Sequence, residues 1–127
     1  MEDNSKIRYS DEELKEFREI IEEKIRKAKK QLEFYHEQID EITNGPDGHI
    51  KGLDDGVGTI ETEHIMQMIG RLTKHIKHLE NALLRIENKV YGICRVTGKL
   101  ISKERLRAVP HATLSIEAKQ KMKNKRK

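Results

Sequence analysis

Along residues 62–90, apolar side chains fall at Ile65, Ile69, Leu72, Ile76, Leu79, Leu83, Ile86 and Val90, in alternating steps of four and three. That spacing lines one narrow face of a helix over nearly four heptads, as in the seam of a coiled coil. Such a seam needs a second apolar surface to cover it in water. The complement lies upstream, where Leu14, Ile21, Ala28, Tyr35 and Ile42 occupy one heptad position and Arg18, Ile25, Leu32 and Ile39 the other. Leu14 to Ile42 and Thr62 to Val90 each cover 29 residues. The connection between them is too short to run back along either, so the two helices are expected to pair antiparallel. In that register Gly70 lies opposite Phe34 and Tyr35 and is expected to make room for their rings.

Local signals set the ends of these helices. Ser10 followed by Asp11, Glu12 and Glu13 reads as a capping box, with Tyr9 and Leu14 at the positions of a hydrophobic staple. Residues 1–9 are then a polar leader and residues 10–90 the hairpin. Within it, residues 44–61 hold Pro46 and five of the eight glycines, Gly45, Gly48, Gly52, Gly56 and Gly58, so helix is not expected to continue through them. Asp47, Asp54 and Asp55 face only Lys51 there, which makes the loop an acidic tip; a loop this long is either functional or a solvated connector. Beyond Val90, Gly92 suits a helix C′ position. Ile93 to Ile101 reads as a short hairpin turning at Thr97 and Gly98, Ser102 as the cap of a brief helix stopped by Pro110, and Leu114 to Met122 as a last helix. Residues 91–118 thus form a module too small to fold on its own core, followed by a basic tail at 119–127.

Composition narrows the function class. Of 127 residues 38% are charged and 35% apolar, with 4% aromatic and no Trp, which suits solvated helices rather than an enzyme with a deep pocket. No phosphate-cradling glycine loop, nucleophile elbow or zinc-protease His pair occurs, and His75 and His78 flank the seam as solvated residues. The chain is therefore not expected to be an enzyme. Residues 1–43 carry 9 Lys and Arg against 13 Asp and Glu, whereas residues 91–127 carry 11 against 2. The absence of a signal-like start or membrane-length apolar run, together with the single cysteine, Cys94, predicts a cytoplasmic protein without membrane attachment.

The run Tyr91-Gly92-Ile93-Cys94-Arg95-Val96-Thr97-Gly98-Lys99-Leu100-Ile101, followed by Arg105-Leu106-Arg107-Ala108-Val109-Pro110-His111-Ala112, resembles the DksA/TraR family of bacterial transcription regulators. The resemblance implies a mainly α fold: a long antiparallel helical hairpin (coiled coil), a small C-terminal zinc-finger-like module and a short terminal helix. It places the family's four zinc ligands at Cys94, Thr97, Ser115 and Ala118, of which only the first is a cysteine. No bound metal or other cofactor is expected, because hydroxyls are too weakly acidic to replace thiolates and His111 would add only a second donor. A core of Ile93, Val96, Leu100, Ile101, Leu106, Val109, Leu114 and Ile116 is expected to offset the loss, with Cys94 as a small buried apolar residue.

The same resemblance implies RNA polymerase as partner, with the hairpin in the secondary channel and acidic tip residues near the active centre. The family's tip pattern, Asp, two residues, Asp, one residue, Ala, falls on Lys51-Gly52-Leu53-Asp54-Asp55-Gly56, so Asp54 matches while Lys51 and Gly56 depart from it. Asp55 and Asp47 are the further tip candidates. Arg105 and Lys119 keep basic charge where some members sense guanosine tetraphosphate. Val109 stands where an Arg often precedes the family's proline, so alarmone binding is not expected. Two other readings remain open: a nucleic-acid- or ribosome-associated helical protein using the basic C-terminal end, and a structural hairpin that dimerises.

Overall fold

The computed structural model describes residues 7–44 and 57–125, with side chains from 60 to 124 in the second stretch. The tip residues Asp47, Asp54 and Asp55 lie outside the described residues. The fold is mainly α, a long antiparallel helical hairpin followed by a small finger-like module and a short terminal helix. Its elements are α1 (Asp11–Asn44), α2 (Val57–Glu87), α3 (Lys103–Ala108) and α4 (Ile116–Lys125). No helix among the described residues is long and apolar enough to cross a membrane.

The capping box starts α1: Glu13 N–H donates to Ser10 Oγ at 3.1 Å, and Ser10 N–H donates to Glu13 Oε1 at 2.8 Å. Helix α2 opens at Val57, earlier than the glycine content of residues 44–61 predicts. Gly58 falls in its first turn, where backbone N–H groups lack intrahelical acceptors in any case. At the other end α2 stops at Glu87 rather than Val90, and Gly92 is not its C′ residue. Val90 N–H reaches Arg85 O at 2.9 Å and Lys89 N–H reaches Ile86 O at 3.0 Å, a Schellman pair with Lys89 in the left-handed position at φ 62°. Lys89 Nζ is held by Asp11 Oδ1 at 2.7 Å.

The chain divides into two compact units, Met1–Lys24 with His78–Lys127 and Ile25–Lys77. Within Ile25–Lys77 the seam is thin. Ile25, Ala28, Ile65 and Ile76 are buried, Leu32, Tyr35, Ile39, Ile42, Ile69 and Leu72 are half-buried, and Phe34 and Met66 are exposed. The expected role of Gly70 does not hold. A Cβ added there would meet nothing within 4 Å, because Phe34 turns outward with its ring edge-on to Tyr35 at 5.7 Å.

In the other unit the seam is offset from the heptad reading. Phe17 is buried and Arg18 exposed, and Ala82 is buried where Leu83 is only half-buried. At Phe17 the cause is the pair of rings, Tyr9 and Tyr91, that cover that flank. Phe17 sits between the rings of Tyr9 (5.8 Å) and Tyr91 (5.3 Å), and Leu14, Ile21, Leu79 and Ile86 are buried in the same unit.

Candidate functional site

The module is built around the turn Cys94–Lys99. Ile93 and Leu100 form an isolated antiparallel bridge, Cys94 N–H donates to Lys99 O at 2.8 Å, and Gly98 N–H donates to Cys94 O at 2.8 Å. Gly98 takes φ 73°, which glycine adopts without the Cβ penalty. Ser102 Oγ then accepts the Arg105 N–H at 3.2 Å and caps α3. Tyr9 Oη donates to Ile101 O, Tyr91 Oη donates to Pro110 O at 2.8 Å, and Lys103 Nζ pairs with Glu13 Oε2 at 2.6 Å. Burial raises the pKa of both tyrosines, which keeps their hydroxyls as donors. The Tyr9 and Glu13 links fasten the module to the start of α1, the Tyr91 bond ties the module within itself, and Ile101, Leu106, Ala112 and Ala118 are buried in it.

Around the Cys94 sulfur the structure brings together two more of the positions where the resemblance places zinc ligands, Thr97 and Ser115, with Ala118 joined to Ser115. Ser115 N–H donates to Cys94 Sγ at 3.4 Å. Ser115 Oγ accepts the Ala118 N–H at 3.1 Å and its carbonyl accepts the Lys119 N–H at 3.0 Å, so Ser115 is the N-cap of α4. Thr97 Oγ1 accepts the Lys99 N–H at 3.1 Å, which tightens the turn. Cys94 and Ala118 are almost completely buried, at 1% and 0% exposure. Burial pushes the Cys94 thiol up. Hydrogen bonds to the sulfur from the Thr97 side chain and from the Ser115, Thr97 and Val96 backbones outweigh it and bring the pKa from 9.0 down to about 6.

This donor set does not fit structural zinc. One thiolate is present, two hydroxyls are committed to a turn and a cap, and the Ala118 methyl offers no lone pair. His111 stacks on His78 at 5.5 Å and 11°, with its carbonyl accepting from Arg85 Nη2 at 3.3 Å. Among the described residues no three His, Cys, Asp or Glu side chains gather to hold a metal.

Of the basic candidates, Arg105 is half-buried and donates from Nε to Leu114 O at 2.8 Å, which steadies the approach to α4. Lys119 is exposed on α4, and that helix extends to Lys125, through most of the stretch expected as tail. A groove of about 520 Å³ at the foot of α1 and α2 is lined by Lys15, Arg18 and Lys89 against Asp11, Glu19, Glu22 and Glu87, a mixed set that favours neither anions nor cations. Phe17 escaped the heptad reading. Its signal was the Leu14, Phe17, Ile21 spacing of three and four, which matches an apolar helical face as well as the position of Arg18 does.

Residues 89–123 match the family model for the prokaryotic dksA/traR C4-type zinc finger. The chain is 33% identical over 90 residues to general stress protein 16O of Bacillus subtilis, covering 71% of this chain and 54% of that protein. It is 43% identical over 51 residues to the RNA polymerase-binding transcription factor DksA of Caulobacter vibrioides, covering 40% of this chain and 36% of that protein. The chain thus spans about half or less of the length of these curated relatives. In fold it is similar to transcription factor DksA2 from Pseudomonas aeruginosa, with a TM-score of 0.80 at 23% identity over 89% of this chain and 84% of that one.

Proposed function

The chain belongs to the DksA/TraR family, and from that premise we propose that it is a transcription regulator that binds RNA polymerase directly. Its hairpin enters the secondary channel and presents Asp54 and Asp55, with Asp47, near the active centre. The observation that carries this reading is the match of residues 89–123 to the family's finger on a chain that also has the helical hairpin. Carboxylates brought close to a catalytic metal or a mobile element act electrostatically, so the reading includes no catalytic step by this chain and no cofactor.

The test is co-purification with core RNA polymerase and in vitro transcription, using the full chain and a variant whose residues 44–61 are replaced by a neutral linker. The full chain is expected to bind and to change transcript yield, and the linker variant to lose the transcriptional effect. No complex with polymerase refutes the reading, and an unchanged effect of the linker variant removes the tip from the mechanism.

A second reading rests on charge. Lys119, Lys121 and Lys123 are exposed on α4, within a stretch of 11 Lys and Arg against 2 acids over residues 91–127. Binding of nucleic-acid phosphates through this end would fall steeply with salt. It is favoured if DNA or RNA affinity survives the linker replacement and is lost on deleting residues 119–127.

A further inference from the structure

We propose that the C-terminal module has exchanged a metal-held fold for a hydrogen-bonded one around the Cys94 sulfur, so that it folds without zinc and gains a zinc site only when the missing cysteines are restored. Independently of any polymerase contact, each of the four positions has its own role in the fold. Cys94 sulfur accepts the Ser115 N–H at 3.4 Å and so joins the turn to the start of α4, a connection that a shared metal makes in a four-ligand finger. Thr97 closes the turn through Lys99 N–H. Ser115 caps α4 through Ala118 N–H, and Ala118, at the position where the resemblance puts the fourth ligand, is fully buried and offers only a methyl. The backbone bond from Arg95 N–H to Thr113 O at 2.9 Å fastens the same two segments a second time. None of the four positions is left in a role that a cation would complete.

Two further features supply the order that a metal otherwise imposes. Tyr9 and Tyr91 each reach a carbonyl of the module, at Ile101 and Pro110, from rings packed on Phe17. Glu13 holds Lys103 at the first turn of α3. The module is therefore anchored to the start of α1 through Tyr9, Glu13 and the packing of Tyr91 on Phe17, and tied within itself by the Tyr91–Pro110 bond.

The geometry also states what restores the site. Because the backbone at 97 and 115 already approaches the Cys94 sulfur, T97C/S115C/A118C offers four thiolates without rebuilding the loop. The test compares the full-length wild-type protein with this triple variant and with T97C/S115C, which leaves the buried Ala118 untouched. Wild type is expected to purify with less than about a tenth of an equivalent of zinc. Its melting midpoint should change by less than about 1 °C on adding a strong chelator. The triple variant is expected to take up one equivalent of cobalt with thiolate-to-metal charge-transfer absorption, and zinc should raise its midpoint by more than about 10 °C. A triple variant that folds only with metal also supports the proposal. Should it fail to fold under either condition, T97C/S115C decides: cobalt bound by three thiolates supports the proposal, and a folded variant that binds none overturns it. Stoichiometric zinc in wild type, with unfolding by chelator, overturns the metal-free fold.

Discussion

Gly92 and Gly98 offer a paired substitution in which one variable is held constant. Both adopt left-handed backbone, at φ 78° and 73°, so replacement by Ala carries the same conformational penalty of about 1–2 kcal/mol at each. Their surroundings differ. A Cβ on Gly98 meets nothing within 4 Å, whereas one on Gly92 would lie 2.7 and 2.8 Å from Tyr9 Cε2 and Cδ2 and 3.1 Å from Leu106 Cδ1. Tyr9 cannot withdraw freely, because its ring packs on Phe17 and its hydroxyl is bonded to Ile101 O. Overpacking a constrained site adds about 1–3 kcal/mol, so Gly98→Ala should cost about 1–2 kcal/mol and Gly92→Ala about 2–5 kcal/mol. With a urea m-value of about 2 kcal/mol/M, the unfolding midpoints fall by roughly 0.5–1 M and 1–2.5 M respectively. Equal shifts for the two variants would refute the placement of Tyr9 over Gly92. A double-mutant cycle with Tyr9→Ala sharpens the test, since removing the ring should recover the steric part of the Gly92→Ala cost and leave the conformational part.

Other perturbations probe the helical arms and the Cys94 turn. Gly70→Ala should stabilise the protein by about 1 kcal/mol in urea titration, because helix propensity is the only quantity that changes at an exposed position with no neighbour; a loss of stability would contradict the open surface found there. Phe17→Ala removes a ring that is 2% exposed and should cost about 3–5 kcal/mol, while Arg18→Ala should change stability by less than about 0.5 kcal/mol; comparable costs would restore the heptad assignment. Cys94 should titrate near pH 6 by thiolate absorbance near 240 nm. Its folded value lies below the ordinary 9.0, so between about pH 6 and 9 the unfolded state binds more protons and stability rises with pH, by up to about 1.4 kcal/mol per unit. That contribution is lost as pH falls through about 6. A wild-type minus Cys94→Ala stability difference that is flat over this range would refute it.

The helices were legible because their signals are local. The capping box at Ser10 and Glu13 forms as its spacing predicts, Ser102 caps α3, and the 3–4 periodicity marks both arms of the hairpin. Periodicity constrains which residues share a face but not which flank of that face is covered. Heptad counting therefore placed Arg18 in the seam, and only the position of Tyr9 and Tyr91 showed that Phe17 belongs there. The end of α2 was misplaced for a related reason. Glycine is the usual left-handed residue, so Gly92 attracted the C′ assignment, yet Lys89 takes that conformation, tied to Asp11 across 78 positions of sequence.

The candidate site divides in the same way. Sequence by itself determined the family resemblance and the chemistry of the four positions, since a single thiol with two hydroxyls and a methyl is a statement about residue types. It also determined the pairing of two equal apolar seams and the charge gradient toward the C-terminal end. Only the tertiary structure decided what those four positions do instead: an acceptor for Ser115 N–H, a turn lock, an N-cap and a buried methyl. The physical reason is range. Residue chemistry and helical period act within a few positions of sequence, whereas the sulfur at 94 and the amide at 115 are joined by folding, through contacts between segments that no local pattern encodes.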